Sequence, residues 1–204
     1  MDRDRPVYTA LESILRPTLT LVYRMRISGR EHVPTTGPCV LAANHVSVMD
    51  GFFLALAVTR QVRFMAKSEL YRWPVVKQIM EGVGAFPVDR GADAGRAVRA
   101  GVELLGRGAV VGVFPEGTSL PDRKRGYKRG AARLALATGA PLIPVGLIDT
   151  ELTLEPETHR IRLPRVRIVI GEPILVERQE VTEEAATTLT ARLQDAIESL
   201  TAQA

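Results

Sequence analysis

The chain has 204 residues, 46% of them hydrophobic and 25% charged, which excludes a disordered or fibrous polymer and fits one sizeable core rather than two. A single cysteine excludes an intramolecular disulfide framework, and no run of about 18 apolar residues is present, so no membrane-spanning helix is expected. The net charge of +4 hides an asymmetry: residues 1–133 carry 21 basic and 12 acidic side chains, residues 134–204 only 6 and 11. A basic first two-thirds points to an anionic partner, whether nucleic acid, a lipid surface or a phosphorylated small molecule.

The N-terminus has no signal peptide by this reading, because Glu12, Arg16 and Pro17 break its apolar character. Val7, Ala10, Leu11, Ile14 and Leu15 recur at helical spacing with Glu12 and Arg16 off that face, which predicts a short amphipathic helix interrupted by Pro17. That helix either packs on its own domain or lies in a membrane interface, and composition does not separate the two. We therefore divide the chain into an N-terminal amphipathic segment, 1–28, and one domain, 29–204. Tyr23, Met25 and Ile27 alternate as a strand entering that domain would.

After a Gly- and Pro-containing loop, PCVLAA reads as a buried strand and GFFLALAV as a helix to about Val58. VRFMAKSEL is a second strand. Residues 71–83 form a helix with Val75, Val76, Ile79, Met80 and Val83 on one face beside Trp73, read as core before lipid interface. GAFPVDRG gives a short strand ending at Arg90. A helix over 93–106 follows, with Asp93 as its N-cap and Val98, Val102 and Leu105 inward. AVVGVF is a buried strand that delivers the loop PEGTSLPDRKRGYKRG, a helix then runs to about Thr138 with Gly139 as its cap, and PLIPVGLI is another buried strand. IRLPRVRIVIGEPI supplies one or two more strands. A final helix from Thr182 aligns Leu189, Leu193, Ile197 and Leu200. Alternating strands and helices predict a single α/β layered domain with a largely parallel central sheet flanked by helices.

Several chemistries are excluded by what is missing. There is no G-x-S-x-G elbow and no Gly-Lys-Ser/Thr phosphate loop, and GVGAFP from Gly82 places Pro87 where a dinucleotide fingerprint needs its third Gly. His32, Cys39, His45 and His159 lack metal-site spacing, so no metal is expected, and Cys39 reads as a small core residue. What remains is ANHVSVMD. His45 and Asp50 stand five positions apart after the PCVLAA strand, with Ser47 read as the N-cap of the next helix in an S-x-x-D box. On a continuous helix a five-residue step separates side chains by about 140°, but across a strand-to-helix turn they can meet. A carboxylate on one imidazole nitrogen fixes the tautomer and makes the other a better base. Arg90 and the Phe114–Ser119 turn follow two further strands, and in a parallel sheet such turns share the carboxyl edge where ligands gather.

These residues carry a family resemblance. NHVSVMD resembles the N-H-x4-D signature of the glycerolipid acyltransferases, the family typified by 1-acylglycerol-3-phosphate acyltransferase. GAFPVDR is similar to that family's Gly-to-Arg block, FPEGTS to its F-P-E-G-T-x block and LIPVG to its hydrophobic-Pro block, together covering about residues 30–146. The resemblance implies a glycerol-3-phosphate acyltransferase-like fold and transfer of an acyl group from acyl-CoA or acyl carrier protein to a lysophospholipid acceptor, giving phosphatidic acid. It implies His45 as general base, Asp50 as its orienting partner, and Arg90, Glu116 and Gly117 at the acceptor phosphate with Thr118 beside them; Lys67, in AKSEL, is a further candidate phosphate contact, its alternative being a solvated surface lysine. A carboxylate repels phosphate, so Glu116 is read instead as holding a backbone turn or a basic side chain. No cofactor or nucleic-acid partner is implied, and the expected setting is the cytoplasmic face of the cell membrane, peripheral or monotopic. The basic tract Arg123, Lys124, Arg125, Lys128 and Arg129 is expected to meet lipid headgroups, CoA phosphates or carrier-protein acids. Other acceptors, such as glycerol 3-phosphate, another lysolipid or a glycolipid, stay open, as does a lipid-binding module without turnover.

Overall fold

The computed structural model describes residues 5–67, 71–74, 77–78, 84–88, 94–117, 126–153 and 162–202. Helix α1 spans Arg5–Val22 and leads to β1, Arg26–Ser28. Next come β2, Cys39–Ala43, α2, Asp50–Ala57, β3, Val62–Lys67, and β4, Ala85–Val88. Helix α3 covers Ala94–Gly106, β5 Val110–Val113, α4 Gly130–Thr138 and β6 Leu142–Ile148. Strand β7, Arg167–Ile170, and helix α5, Glu183–Ala202, complete the set.

One sheet of seven strands runs in the order β1-β7-β6-β2-β5-β3-β4. Strands β6, β2, β5, β3 and β4 are mutually parallel, so their carboxyl ends share one edge. Strand β7 lies antiparallel to β6 and carries β1 parallel to itself at the margin. Because β2 is buried along its whole length, it needs apolar side chains on both faces, and CVLAA supplies them. Cys39, Leu41 and Ala43 face a core built with Phe53, Leu54 and Ile168. Val40 and Ala42 face the opposite core, with Leu134, Leu193 and Ile197. The connection from β2 to β3 moves one way across the sheet and those from β4 to β5 and β5 to β6 move the other. Right-handed crossovers then require α2 on one face and α3 and α4 on the other, as found. Burial pushes the Cys39 thiol up to about 11 against a smaller opposing pull from Arg60, which suits a packing residue and not a nucleophile.

Three expectations change. Pro17 lies inside α1 and does not interrupt it. Proline withholds an amide from the carbonyl four residues back, here Ser13, but both residues are exposed, where water relieves the penalty a buried helix would suffer. The inward face of α1 is also shifted: Leu15 and Leu19 pack on the core and Arg16 donates to the Val58 carbonyl at 2.6 Å, whereas Ile14 is 68% exposed. Trp73, read as part of a core face, is 70% exposed. Most of the helix expected over 71–83, and Asp93, lie outside the described residues. At the other end, Thr182 Oγ1 accepts the Ala185 amide and starts α5 as the sequence predicts.

Candidate active site

The turn between β2 and α2 is fastened to the sheet by the residue that opens it. Where β2 ends its ladder with β6 at Ala43 and Val145, the Asn44 side chain takes over as a pseudo-backbone. Its amide Nδ2 donates to the Leu147 carbonyl at 2.8 Å and its Oδ1 accepts the Leu147 N–H at 2.7 Å. The backbone is thereby free to leave the sheet while the turn stays tied to its edge. His45 is the next residue.

Asp50, the first residue of α2, is fully buried. Its Oδ2 accepts the Val46 N–H at 2.7 Å and the Ser47 N–H at 2.8 Å, and lies 3.0 Å from His45 Nδ1. With two backbone donors already on that oxygen, Nδ1 must carry a proton to make a third hydrogen bond, which leaves the lone pair on Nε2. Asp50 Oδ1 is buried without a hydrogen-bond partner among the described residues. Ser47 is not the helix N-cap that the spacing predicts: the cap position falls on Met49, with no side-chain cap. The acid's half of the capping box does form, from Asp50 back to the Ser47 amide, but the Ser47 hydroxyl accepts the Met49 N–H and pairs with Thr153 Oγ1 at 3.2 Å. That hydroxyl ties the turn to the segment after β6.

Beyond β5 the chain turns sharply through Phe114, Pro115, Glu116 and Gly117, closed by the Gly117 N–H on the Phe114 carbonyl at 3.0 Å. The turn aims Glu116 at β2, where its Oε1 accepts the His45 backbone N–H at 3.2 Å. Glu116 thus holds a backbone turn, and the turn it holds is that of His45. Gly117 sits at φ 75°, in the left-handed region that favours glycine, and the end of the Lys128 side chain lies over it, Nζ 2.5 Å from where a Cβ would stand. The Lys128 amide donates to the Pro115 carbonyl at 2.8 Å and brings the basic segment back against the site.

These elements border a cleft of about 750 Å³ between the carboxyl end of β5 and helices α3, α4 and α5, with His45 in its wall. Val98, Val113 and Leu134 give it an apolar lining, and Lys128, Arg129 and Arg133 stand along it. Of the basic tract, Arg129 is engaged by Glu183 at 2.6 Å, and Arg133 pairs with the same carboxylate. Burial, reinforced by Glu116 and then Glu198, pushes the Tyr127 phenol up, so this cleft residue stays neutral. Among the described residues, no group of three or more His, Cys, Asp and Glu side chains is placed to hold a metal ion.

The structure brings together His45, Asp50, Glu116 and Gly117. Lys67 ends β3 on the same carboxyl edge, and its side chain lies outside the described residues, as do Arg90, Thr118 and Arg123 to Arg125. Asn44 and Phe114 belong to the motifs but received no role from the sequence. Their neighbours on β6 and β2 are distant in the chain, and spacing carries no sign of them.

The family follows from comparison with known proteins. A family model described as Acyltransferase matches residues 24–148, a span that contains the whole turn, the Glu116 loop and β6. The chain belongs to the acyltransferase family. Within that family it is 32% identical over 157 residues to the chloroplastic 1-acyl-sn-glycerol-3-phosphate acyltransferase BAT2 of Brassica napus, a match covering 74% of this chain and 45% of the plant protein. It is 27% identical over 169 residues to the 1-acyl-sn-glycerol-3-phosphate acyltransferase of Bacillus subtilis, covering 82% of each. The chain thus spans under half of the plant relative but most of the bacterial one. The crystal structure of the 1-acyl-sn-glycerophosphate acyltransferase PlsC from Thermotoga maritima superposes with a TM-score of 0.77 at 27% identity, covering 97% of this acyltransferase and 80% of that chain.

Proposed function

We propose that this acyltransferase moves a fatty acyl group from a thioester, acyl-CoA or acyl carrier protein, to the free hydroxyl of a 1-acylglycerol-3-phosphate, giving phosphatidic acid. The observation that carries this reading is the His45–Asp50 pair beside the cleft, with Nδ1 held and Nε2 on the opposite side of the ring. Nε2 takes the hydroxyl proton as the oxygen attacks the thioester carbonyl. The C–S bond then breaks, and the imidazolium returns the proton to the departing thiolate. Asp50 stabilises the imidazolium while it exists. A thioester is already activated, so positioning and a base suffice without a covalent enzyme intermediate.

The test is release of free thiol from acyl-CoA or acyl carrier protein with a panel of acceptors: lysophosphatidate, glycerol 3-phosphate, a neutral lysolipid and none. Release that requires lysophosphatidate is the expected result. Release without an acceptor indicates a thioesterase, and no release with any acceptor a lipid-binding module. The same panel checks the roles of Arg90 and Lys67 at the acceptor phosphate. An arginine fork holds phosphate at two points, each charge-assisted bond being worth roughly 1.5–3 kcal/mol, so Arg90→Ala should lower kcat/KM for lysophosphatidate about 10- to 100-fold. The donor KM should change little and Arg90→Lys should recover part of the loss. Equal damage toward an acceptor lacking phosphate would remove Arg90 from this role.

We also place the protein at a membrane surface, on the cytoplasmic face, peripheral or monotopic. Among the described residues no helix is long and apolar enough to cross a bilayer. Supporting a surface location, α1 exposes Ile14 and, two turns on, Leu21 at 68% and 79%, while Leu15 and Leu19 remain in the core. Ile14→Ser combined with Leu21→Ser should therefore reduce sedimentation with anionic vesicles without lowering the melting temperature. Raised salt should act in the same direction, because charge attraction is screened beyond about 10 Å at 0.1 M. Wild-type protein that never sediments with such vesicles would count against the placement.

A further inference from the structure

We infer that Phe114 is a positioning residue for His45, and that Phe64 and Gly112 hold Phe114 in that role. A single hydrogen bond to Asp50 fixes one atom of the imidazole and leaves the ring free to swing about that point. A second constraint is needed to fix its plane. The Phe114 ring provides one: it stacks on His45 with centroids 4.2 Å apart and planes 21° from parallel. An aromatic face also favours the positive charge the imidazole acquires when it takes a proton, so the contact suits both ends of the transfer.

The support behind Phe114 is equally specific. Phe64, from β3, lies with its ring 6.1 Å from that of Phe114 and within 9° of parallel. Phe64 is almost fully buried. It reaches this position because β5, between β3 and β2, has no side chain at residue 112: a Cβ there would stand 2.5 Å from Phe64 Cε1 and 2.9 Å from Val62 Cγ1. Glycine weakens a strand interior, so its presence within the otherwise β-branched Val110–Val113 run needs a reason, and the clearance for Phe64 gives one. The line from Gly112 through Phe64 and Phe114 to His45 crosses three strands at the edge where Nε2 must meet its substrate.

The kinetic part of this inference rests on His45 being the base, but the structural part does not, and the experiment separates them. Three histidines are present, so the His45 ring protons are assigned in the NMR spectrum by their loss in His45→Ala. Lying over an aromatic face, they should resonate upfield in the wild type. Phe114→Leu should abolish that shift and lower kcat about 3- to 10-fold, the size of one aromatic-pair interaction, with both KM values nearly unchanged. Phe114→Tyr, which keeps the face, should restore most of both. Gly112→Ala should weaken the shift and kcat together by displacing Phe64, and it serves as the independent arm where Phe114→Leu fails to fold. Wild-type ring shifts in both Phe114→Leu and Gly112→Ala, or lost shifts with unchanged kcat, would overturn the proposal. Absence of turnover in the wild type with the shifts behaving as described would leave the stack standing and reject only the acyl-transfer reading.

Discussion

Replacing His45 by alanine is expected to lower kcat by about 10²- to 10⁴-fold, the range associated with a well-placed general base, while the fold survives. The side chain belongs to neither core cluster and retains 19% exposure, so its removal opens no cavity of the kind that destabilises a buried leucine deletion. The contacts that shape the turn are made by Asn44, Ser47, Glu116 and Asp50, and those to the backbone of residue 45 persist in the variant. Substrate affinity should change little, because the cleft has many other walls. Steady-state kinetics beside a thermal melt make the check: near-normal turnover in well-folded His45→Ala would take the base role from this residue.

The second large effect is at Asp50, and there activity and stability should part company. Asp50→Asn can keep an oxygen in place of Oδ2, so the Val46 and Ser47 amides retain an acceptor and the melting temperature should fall only modestly. What it loses is the negative charge beside Nδ1, which both selects the tautomer with its lone pair on Nε2 and stabilises the imidazolium. We expect a loss of about 10²- to 10⁴-fold in kcat, approaching that of removing the base itself. Asp50→Ala should be no less inactive but also less stable, since the buried Ser47 amide loses its acceptor at about 1–3 kcal/mol and the part-buried Val46 amide loses its acceptor at a smaller cost. Parallel activity and denaturation curves for the two variants decide the point. If Asn retained near-wild-type turnover, the carboxylate would be serving the turn and not the histidine.

The alternation of strands and helices was readable because buried parallel strands are short apolar runs and α3 keeps one apolar stripe, Val98, Val102 and Leu105, while α2 is apolar throughout after Gly51 and carries no such stripe. The meeting of His45 and Asp50 was readable because a turn is the one geometry in which a five-residue step brings side chains together. Features that depended on solvent or on distant neighbours were not readable. Pro17 breaks a helix on paper, but an exposed carbonyl removes much of the reason. Ser47 has the residue type of a cap, yet Thr153, more than 100 residues away, engages its hydroxyl. β7 runs against β6 but along β1, and nothing in its short RIVI run states either direction. The partner of Glu116 needed a strand order in which β5 lies beside β2, which no local pattern states.

The Asn44 bracket on Leu147 has a consequence for how the protein is made. The histidine turn leaves the ribosome roughly 100 residues before the backbone that anchors it, so through most of synthesis the turn has no partner at its open side. Strand β6 must be translated, released and zipped onto β2 before the side-chain amide can close. A nascent chain therefore carries His45 in a turn whose anchor is still missing, and the bracket closes only when the sixth strand docks.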